Sequence, residues 1–539
     1  MPTLNWIGKE AVVNHHLQVP FHLLKDVPDL ACGDPGSGNL IVQGDNLVAL
    51  KALLPYYAGQ VKCISIDPPY NTGNEGWAYN DNVNSPVIRE WLGKVVGKEG
   101  ETLDRHDRWL CMMYPRLALL HQFLREDGAI FITIDDNEVQ ALRYAMDEIF
   151  GSSNFIATVI WQKVFAPKNT ARHFSEDHDY VVVYARNANV WRPNLVRRSD
   201  HAKGRYKNPD KDPRGPWTSG DLQARNYYSE GTYPITCPSG RVIPGPGPGM
   251  YWRVAKEKFS ELDKDGRIHW GPKGDNMPRL KRFLTDVKDG VTPQTLWPHS
   301  EVGHTQEAKK DLLAVIEFET SADVFITPKP TRLIERVLQV ASNPGDLVLD
   351  SFGGSGTTGH ATLKINAATP ESAPRRFIMV ELEPKIAREV TAERVKRVAE
   401  GYTNGNGDKV AALGGGFRFC ELGEPLFDEA GKIRQSVAFS DLARHVYFTE
   451  TGEPLPRERV TKSPFIGECR GLGIYLLYNG ILGDKTANGG NVLTRVVLAQ
   501  LPPFNGPKVI YCAGCLLGRD RLRAERVTVR QTPYEIKVA

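Results

Sequence analysis

The sequence predicts an α/β protein: an open, largely parallel sheet, interrupted by one inserted domain and followed by a smaller C-terminal domain. Three observations carry this. Short β-branched runs alternate with segments of helical periodicity up to residue 185 and again over 301–400. One of those strands, "LVLDSF", turns through glycines straight into a helix. Between the two stretches, over 186–300, the alternation stops, and "NPDKDPRGPW" and "PGPGPG" punctuate short polar segments.

Taken in order, "LIVQGDNLVALKALL" reads as a strand and a helix. Leu47, Leu50, Leu53 and Leu54 fall on one face, and Asp45 is the N-cap. "VKCISI" is a short buried strand that ends at Asp67. Residues 76–105 are polar and Gly/Asn-rich, the composition of a long loop or lid. The helix "RWLCMMYPRLALLHQFLRED", the strand "GAIFITID", the helix "NEVQALRYAMDEIFG" and the strand "DYVVVYARN" follow. After the insertion come "KPTRLIERVLQVAS", "DLVLDSF", "TTGHATLKIN" and "RRFIMVELE", then one long amphipathic helix, "PKIAREVTAERVKRVAEGY". A Gly/Asn-rich joint leads to the C-terminal piece, 415–539, with β-like runs in "NVLTRVVLAQL" and "KVIYC". The predicted domains are therefore 1–185 with 301–400, the insertion 186–300, and 415–539.

Bulk properties exclude several classes. A chain of 539 residues exceeds one hydrophobic core. No window approaches the ~18 apolar residues of a membrane span, and the N-terminus lacks the basic-then-apolar pattern of a secretory signal. Eight cysteines in so long a chain do not make a disulfide framework, which points to a reducing, cytoplasmic home. The net charge of +3 implies no polyanion partner, but its distribution is uneven. Residues 186–300 hold 21 Lys and Arg against 12 Asp and Glu, so the rest of the chain carries −6. Five of the ten tryptophans lie there: Trp191, Trp217, Trp252, Trp270 and Trp297. Basic residues among aromatics suit a surface for phosphates and bases, with Arg197, Arg198, Lys203 and Arg205 as phosphate contacts. A polar insertion with its own aromatic core has the same composition.

"LVLDSFGGSGTTGH" has the form of a ligand-cradling turn. A P-loop needs a lysine after the spacer, and His360 stands there instead. Gly354, Gly356 and Gly359 satisfy G-x-G-x-x-G, and Glu381 ends the next strand as a ribose-binding acid. The same physics serves a dinucleotide or S-adenosylmethionine (SAM), so the loop by itself points to an adenosine cofactor. Gly356 is expected to leave room for that adenosine.

"SIDPPYNTG" places an acid, two prolines and an aromatic at a strand's C-terminal end, where open α/β sheets bind ligands. Neither proline donates a backbone hydrogen bond, and both fix φ, so the local carbonyls are held rigidly and left free to accept. Asp67 adds two acceptor oxygens and Tyr70 a flat face. Such a set suits an exocyclic amino group on a planar heterocycle and repels a phosphate.

Together Asp67-Pro68-Pro69-Tyr70 and Phe352-Gly353-Gly354-Ser355-Gly356 resemble the motifs of amino-methyltransferases that modify exocyclic nitrogens of DNA bases. The order of catalytic motif, target-recognition insertion and SAM loop is that of the β class. The resemblance covers roughly 38–400 and implies a Rossmann-like SAM-dependent methyltransferase sheet. It also implies catalysis by Asp67, Pro68, Pro69 and Tyr70. SAM contacts are implied at Asp45, Asp67, Lys329, Pro330, Asp350, Phe352, Gly354, Ser355, Gly356, Thr357 and Glu381. "HFSEDHDYVVVYARN" resembles the strand that closes the target pocket. Asp67, where other members carry Ser, resembles the adenine-N6 branch; Ser351 departs from the proline often found before the phenylalanine.

"DPPYNTG", the length and the Gly-rich step to a C-terminal piece are similar to modification (Mod) subunits of Type III restriction–modification systems. That implies double-stranded DNA as substrate, base flipping, a homodimer and a helicase–nuclease partner. The alternatives are a cytosine-N4 or RNA adenine methyltransferase, or a DNA-recognition subunit with vestigial catalysis. No metal site is expected: Cys512 and Cys515 have zinc-like spacing without a second ligand pair, and "DRHDRW" around His106 reads as a helix start or lid.

Overall fold

In the computed structural model the chain divides into two units, Met1–Pro193 with Gln294–Ala539, and Asn194–Pro293. It describes all residues except 1–3, 73–104, 198–203, 288–289, 319–326, 457–462, 479–480, 484–489, 534–535 and 537–539. The lid expected over 76–105 lies almost wholly outside the described residues. The smaller unit is narrower than the expected insertion. Trp191 and Trp297 are buried in the larger unit, where Trp297 sits on a strand of its main sheet and Trp191 packs edge-on against Phe131.

Eleven strands of the larger unit share that sheet: ten follow one path, and the two-residue strand Cys32–Gly33 pairs off it with Gly416 and Phe417. In chain order its elements are β1 (His22–Asp26), β2 (Leu40–Gln43), α1 (Asn46–Tyr57), β3 (Val61–Ile66), α2 (Arg105–Phe123), β4 (Leu124–Ile134), β5 (Phe155–Gln162), β6 (His178–Ala185) and β7 (Leu296–Trp297). Then follow α3 (Thr331–Ala341), β8 (Leu347–Asp350), α4 (Thr357–Ala368), β9 (Arg376–Glu381), α5 (Glu393–Glu400) and β10 (Gly416–Pro425). The spatial order is β1-β10-β2-β9-β8-β3-β4-β6-β5-β7. From β10 to β4 every neighbouring pair is parallel. Parallel strands are covered on both faces, and β3 and β8 are buried at every residue.

From β3 the chain winds one way, through α2 to β4. From β8 it winds the other way, through α4 to β9. The two directions part between β3 and β8, the switch point at which open sheets form a crevice. Asp45 caps α1 as expected, accepting from the Leu47 and Val48 amides.

Four elements differ from expectation. The helix of "RWLCMMYPRLALLHQFLRED" stops at Phe123, because Arg125 and Asp127 leave it for each other and for Asp346 and Lys62. The long helix after β9 contains a π turn, Ala387–Ala392, which aims Thr391 at the glycine loop. Within "NVLTRVVLAQL" only Val492–Leu493 is a strand, and a short helix, Arg495–Gln500, takes the rest; Thr494 caps it through the Val497 amide. β10, at the head of the expected accessory domain, joins the main sheet between β1 and β2. The rest of that piece carries its own four-stranded sheet, Phe465–Cys469, Leu472–Leu476, Lys508–Cys512 and Val527–Gln531. Among the described residues no helix is long and apolar enough to cross a membrane.

Among its described residues, Asn194–Pro293 has a three-stranded antiparallel sheet, Ile268–His269, Arg279–Phe283 and Trp217–Asp221, and an α-helix, Lys256–Lys264. Trp252 and Trp270 form its core with Phe259 and Ile268, and Trp217 is buried too. Its tryptophans therefore serve packing. The aromatics it exposes are Tyr227 and Tyr228.

Candidate active site

β3 and β8 run side by side, Cys63 opposite Val348 and Ile64 opposite Leu349. The turns that follow Ile66 and Asp350 therefore leave the sheet at one edge. Both line a single cavity of about 710 Å³.

On the first turn, Asp67 is fully engaged. Its Oδ1 accepts from the Thr133 hydroxyl at 2.5 Å, and its Oδ2 pairs with the Lys329 ammonium at 2.5 Å. The same ammonium stands 4.9 Å from the centroid of the Tyr70 ring. The Tyr70 hydroxyl is buried beside Thr133 and Asp67 without a well-formed hydrogen bond to either. Burial, and then the Asp67 charge, hold its pKa well above the usual phenol value.

The proline carbonyls are not both free, as the sequence suggested. The Trp109 indole donates to the Pro69 carbonyl at 2.7 Å, and only Pro68 has no donor among the described residues. Asn71 leaves the turn at φ +58°, a left-handed conformation that asparagine tolerates. Its amide donates to the Arg105 carbonyl and to the fully buried Glu138, whose carboxylate also meets His106 at 2.8 Å. Arg105 and His106 of "DRHDRW" thus begin α2 and anchor the exit of the turn.

The glycine turn is tied from both sides. Gly354, at φ +50°, donates its amide to Glu381 Oε2 at 2.7 Å, and Glu383 donates to Oε1 at 3.0 Å. Asp350 accepts from the Phe352 amide at 3.0 Å and the Thr358 hydroxyl at 2.5 Å. Burial pushes its pKa up to about 7. Thr391 donates to the Gly354 carbonyl at 2.6 Å. Arg394, wholly buried, donates to the Ser355 carbonyl and hydroxyl and to the hydroxyls of Thr357 and Thr331, which joins the turn to the start of α3.

Asp67, Pro68, Pro69, Tyr70, Lys329, Asp350, Phe352, Gly354, Ser355, Thr357 and Glu381 all line the cavity. Three expected residues do not. Gly356 faces away from it: at φ +75°, an added Cβ would lie 2.9 Å from the Thr391 carbonyl, so its glycine serves helix packing rather than room for a ligand. Pro330 caps α3. Asp45 caps α1 and pairs with Arg116 at 2.8 Å. Of the expected phosphate contacts, Arg197 and Arg205 are exposed on Asn194–Pro293, and Arg198 and Lys203 lie outside the described residues.

Sequence reasoning missed Thr133, Trp109, Arg394 and a second ion pair in the cavity wall, Lys163 with Asp179 at 2.5 Å. Asp179 is almost fully buried, and burial raises its pKa despite Lys163. Ser351 places a buried, unpartnered hydroxyl on the same wall. The available signal was positional: Thr133 and Asp179 lie at the strand ends "FITID" and "DYVVVY", on the edge that carries Asp67.

A doubly wound sheet with an acid–proline turn facing a glycine turn across its switch point defines a nucleotide-binding α/β protein. The DNA methylase family matches residues 61–393, and the chain belongs to that family. It is 31% identical over 388 residues to the Type III restriction-modification enzyme StyLTI Mod subunit of Salmonella typhimurium, covering 67% of this chain and 57% of that one. To the EcoPI Mod subunit of Escherichia phage P1 it is 29% identical over 463 residues, covering 76% and 70%. The chain thus spans a little over half the length of the StyLTI relative. A solved structure of a putative DNA modification methylase from Thermus thermophilus, complexed with S-adenosyl-L-methionine, is similar at 14% identity and a TM-score of 0.30, covering 66% of this chain and 96% of that one.

Proposed function

We propose that this chain is a SAM-dependent DNA methyltransferase that modifies adenine N6 in duplex DNA, as the modification subunit of a restriction–modification system. The reading rests on one observation: Asp67 and the glycine turn face each other across one cavity on neighbouring strand ends. Family membership and the Mod relatives support it.

Glu381 would hold the ribose hydroxyls and the Gly354–Ser355 backbone the adenosine, while Lys329 and Thr357 face the amino-acid end. When bound, the cofactor supplies a methyl group made electrophilic by its sulfonium. The chain's own residues must present a nucleophile. Adenine N6 is a poor one, since its lone pair is delocalised into the ring. Asp67 and the Pro68 carbonyl accept the two N6–H bonds, which favours the pyramidal nitrogen and points its lone pair along the transfer line. Alignment of this kind is worth up to ~7–11 kcal/mol. The amine competes with Lys329 for Asp67 Oδ2, so target binding replaces an existing ion pair. Pro69, clamped by Trp109, keeps the turn in register. The proton lost from N6 passes to Asp67 or to water.

The target base must leave the duplex, at a cost of a few kcal/mol; stacking on Tyr70 offsets ~1–3 kcal/mol of it. Arg197 and Arg205, with Arg198 and Lys203, would contact phosphates from the inserted unit. A homodimer and a helicase–nuclease partner, in the cytoplasm, complete the proposed assembly. Single-molecule sequencing of DNA from cells expressing the chain tests the reaction: N6-methyladenine in one fixed sequence context is expected. N4-methylcytosine, or no mark, overturns the assignment.

A further inference from the structure

Residues 163–177 connect β5 to β6 at the edge of the sheet that carries Asp67. The neck of this loop is tied, with the Lys163 and Val164 amides both donating to the Asp177 carbonyl at 2.9 and 3.1 Å. Its two arms are pinned where the Lys168 amide donates to the Ser175 hydroxyl at 2.8 Å. Lys168 and Glu176 line the cavity, so one side of the loop forms the cavity rim. Between those two residues the loop carries Phe174, 91% exposed, the highest value of any large apolar side chain among the described residues.

Leaving a phenylalanine in water forgoes the stabilisation that its burial returns. This one stands beside Lys168, Arg172 and His173, all exposed and without an ion pair among the described residues. An apolar tip among basic side chains, on a loop that lines the cavity holding Asp67, matches the two needs of base extrusion: a surface to replace the lost stacking and donors to hold the backbone while it bends.

We propose that Phe174 is the wedge that enters the duplex where the target base has left it, with Lys168, Arg172 and His173 on the flanking phosphates. The proposal rests on the methyltransferase reading above and deepens it. A wedge helps the target leave its pair and fills the gap opposite the orphaned base, so its removal costs little once the base opposite the target is gone.

The test is Phe174→Ala on two substrates: a matched duplex carrying the sequenced target context, and the same duplex with an abasic site opposite the target adenine. On the matched duplex kcat/KM falls at least about tenfold, or ~1.4 kcal/mol. On the abasic duplex it stays within about twofold of the unsubstituted protein, and Phe174→Leu recovers most of the loss. A 2-aminopurine at the target position brightens less with Phe174→Ala than with the unsubstituted protein. An unchanged rate on the matched duplex overturns the wedge, and so does an equal loss on both substrates. If the unsubstituted protein methylates neither substrate, the methyltransferase reading itself fails.

Discussion

The two turns at the switch point are built on opposite principles. In the glycine turn almost every polar group is committed: Glu381, Asp350, Thr391 and Arg394 each hold a backbone or hydroxyl partner. In the Asp-Pro-Pro-Tyr turn the backbone is fixed, by the prolines and by Trp109, while the side chains are exchangeable. Asp67 holds an ammonium that an amine can replace, and the Tyr70 hydroxyl holds nothing firmly. On the proposed reading the cofactor half is thus a mould and the target half a socket with a removable plug. Rigidity of backbone and rigidity of side chain are separate properties, and the site uses them separately.

The contrast breaks first at Asp67. Asp67→Ala removes an acceptor from the socket and leaves the mould intact. Methyl transfer should fall by ~10³-fold or more, with DNA affinity nearly unchanged by calorimetry; normal turnover would refute its role. Gly356→Ala tests the mould instead. With φ at +75° and the Thr391 carbonyl 2.9 Å from the new Cβ, it should cost ~1–3 kcal/mol of stability in thermal melts. A variant that melts normally yet fails to bind SAM would return Gly356 to the cavity wall.

Asp350 gives the comparison a pH dependence. Its folded pKa, raised to about 7, exceeds its ordinary value, so the folded chain holds a proton that the unfolded chain releases. Its contribution to stability is therefore present at low pH and declines as pH rises from about 4 to about 7, then levels off. Asp350→Asn keeps a neutral side chain throughout. Relative to the unsubstituted protein it should gain stability across that window, read as the difference between two melting curves against pH. The smallest effect belongs to the inserted unit. Arg197→Ala should weaken DNA binding only severalfold, lowering the salt slope by about one, with SAM binding untouched.

Much of this was legible in the chain. Alternating strands and helices located β2, β3, β4, β8 and β9, and polar residues at strand ends located both turns. What escaped depends on approach in space. Trp109 reads as a core residue of an amphipathic helix, and nothing local says that its indole faces Pro69. Arg394 has the spacing of a solvated helix face, yet the π turn before it and the glycine loop bury it. The tryptophans of the insertion carried a composition shared by nucleic-acid surfaces and small cores, and burial decided for the core. "NVLTRVVLAQL" is rich in β-branched residues, but the Thr494 cap prevails over that preference.

β10 joins the sheet by pairing Arg418 with Leu40. During translation, the flank of β2 must wait unpaired until nearly four hundred further residues have left the ribosome. Any product cut short before residue 416 presents that open backbone to its neighbours, and strand edges of this kind recruit other chains. The nascent protein thus depends on late synthesis to protect a strand made near its start, and shortened forms should be found in inclusion bodies rather than in solution.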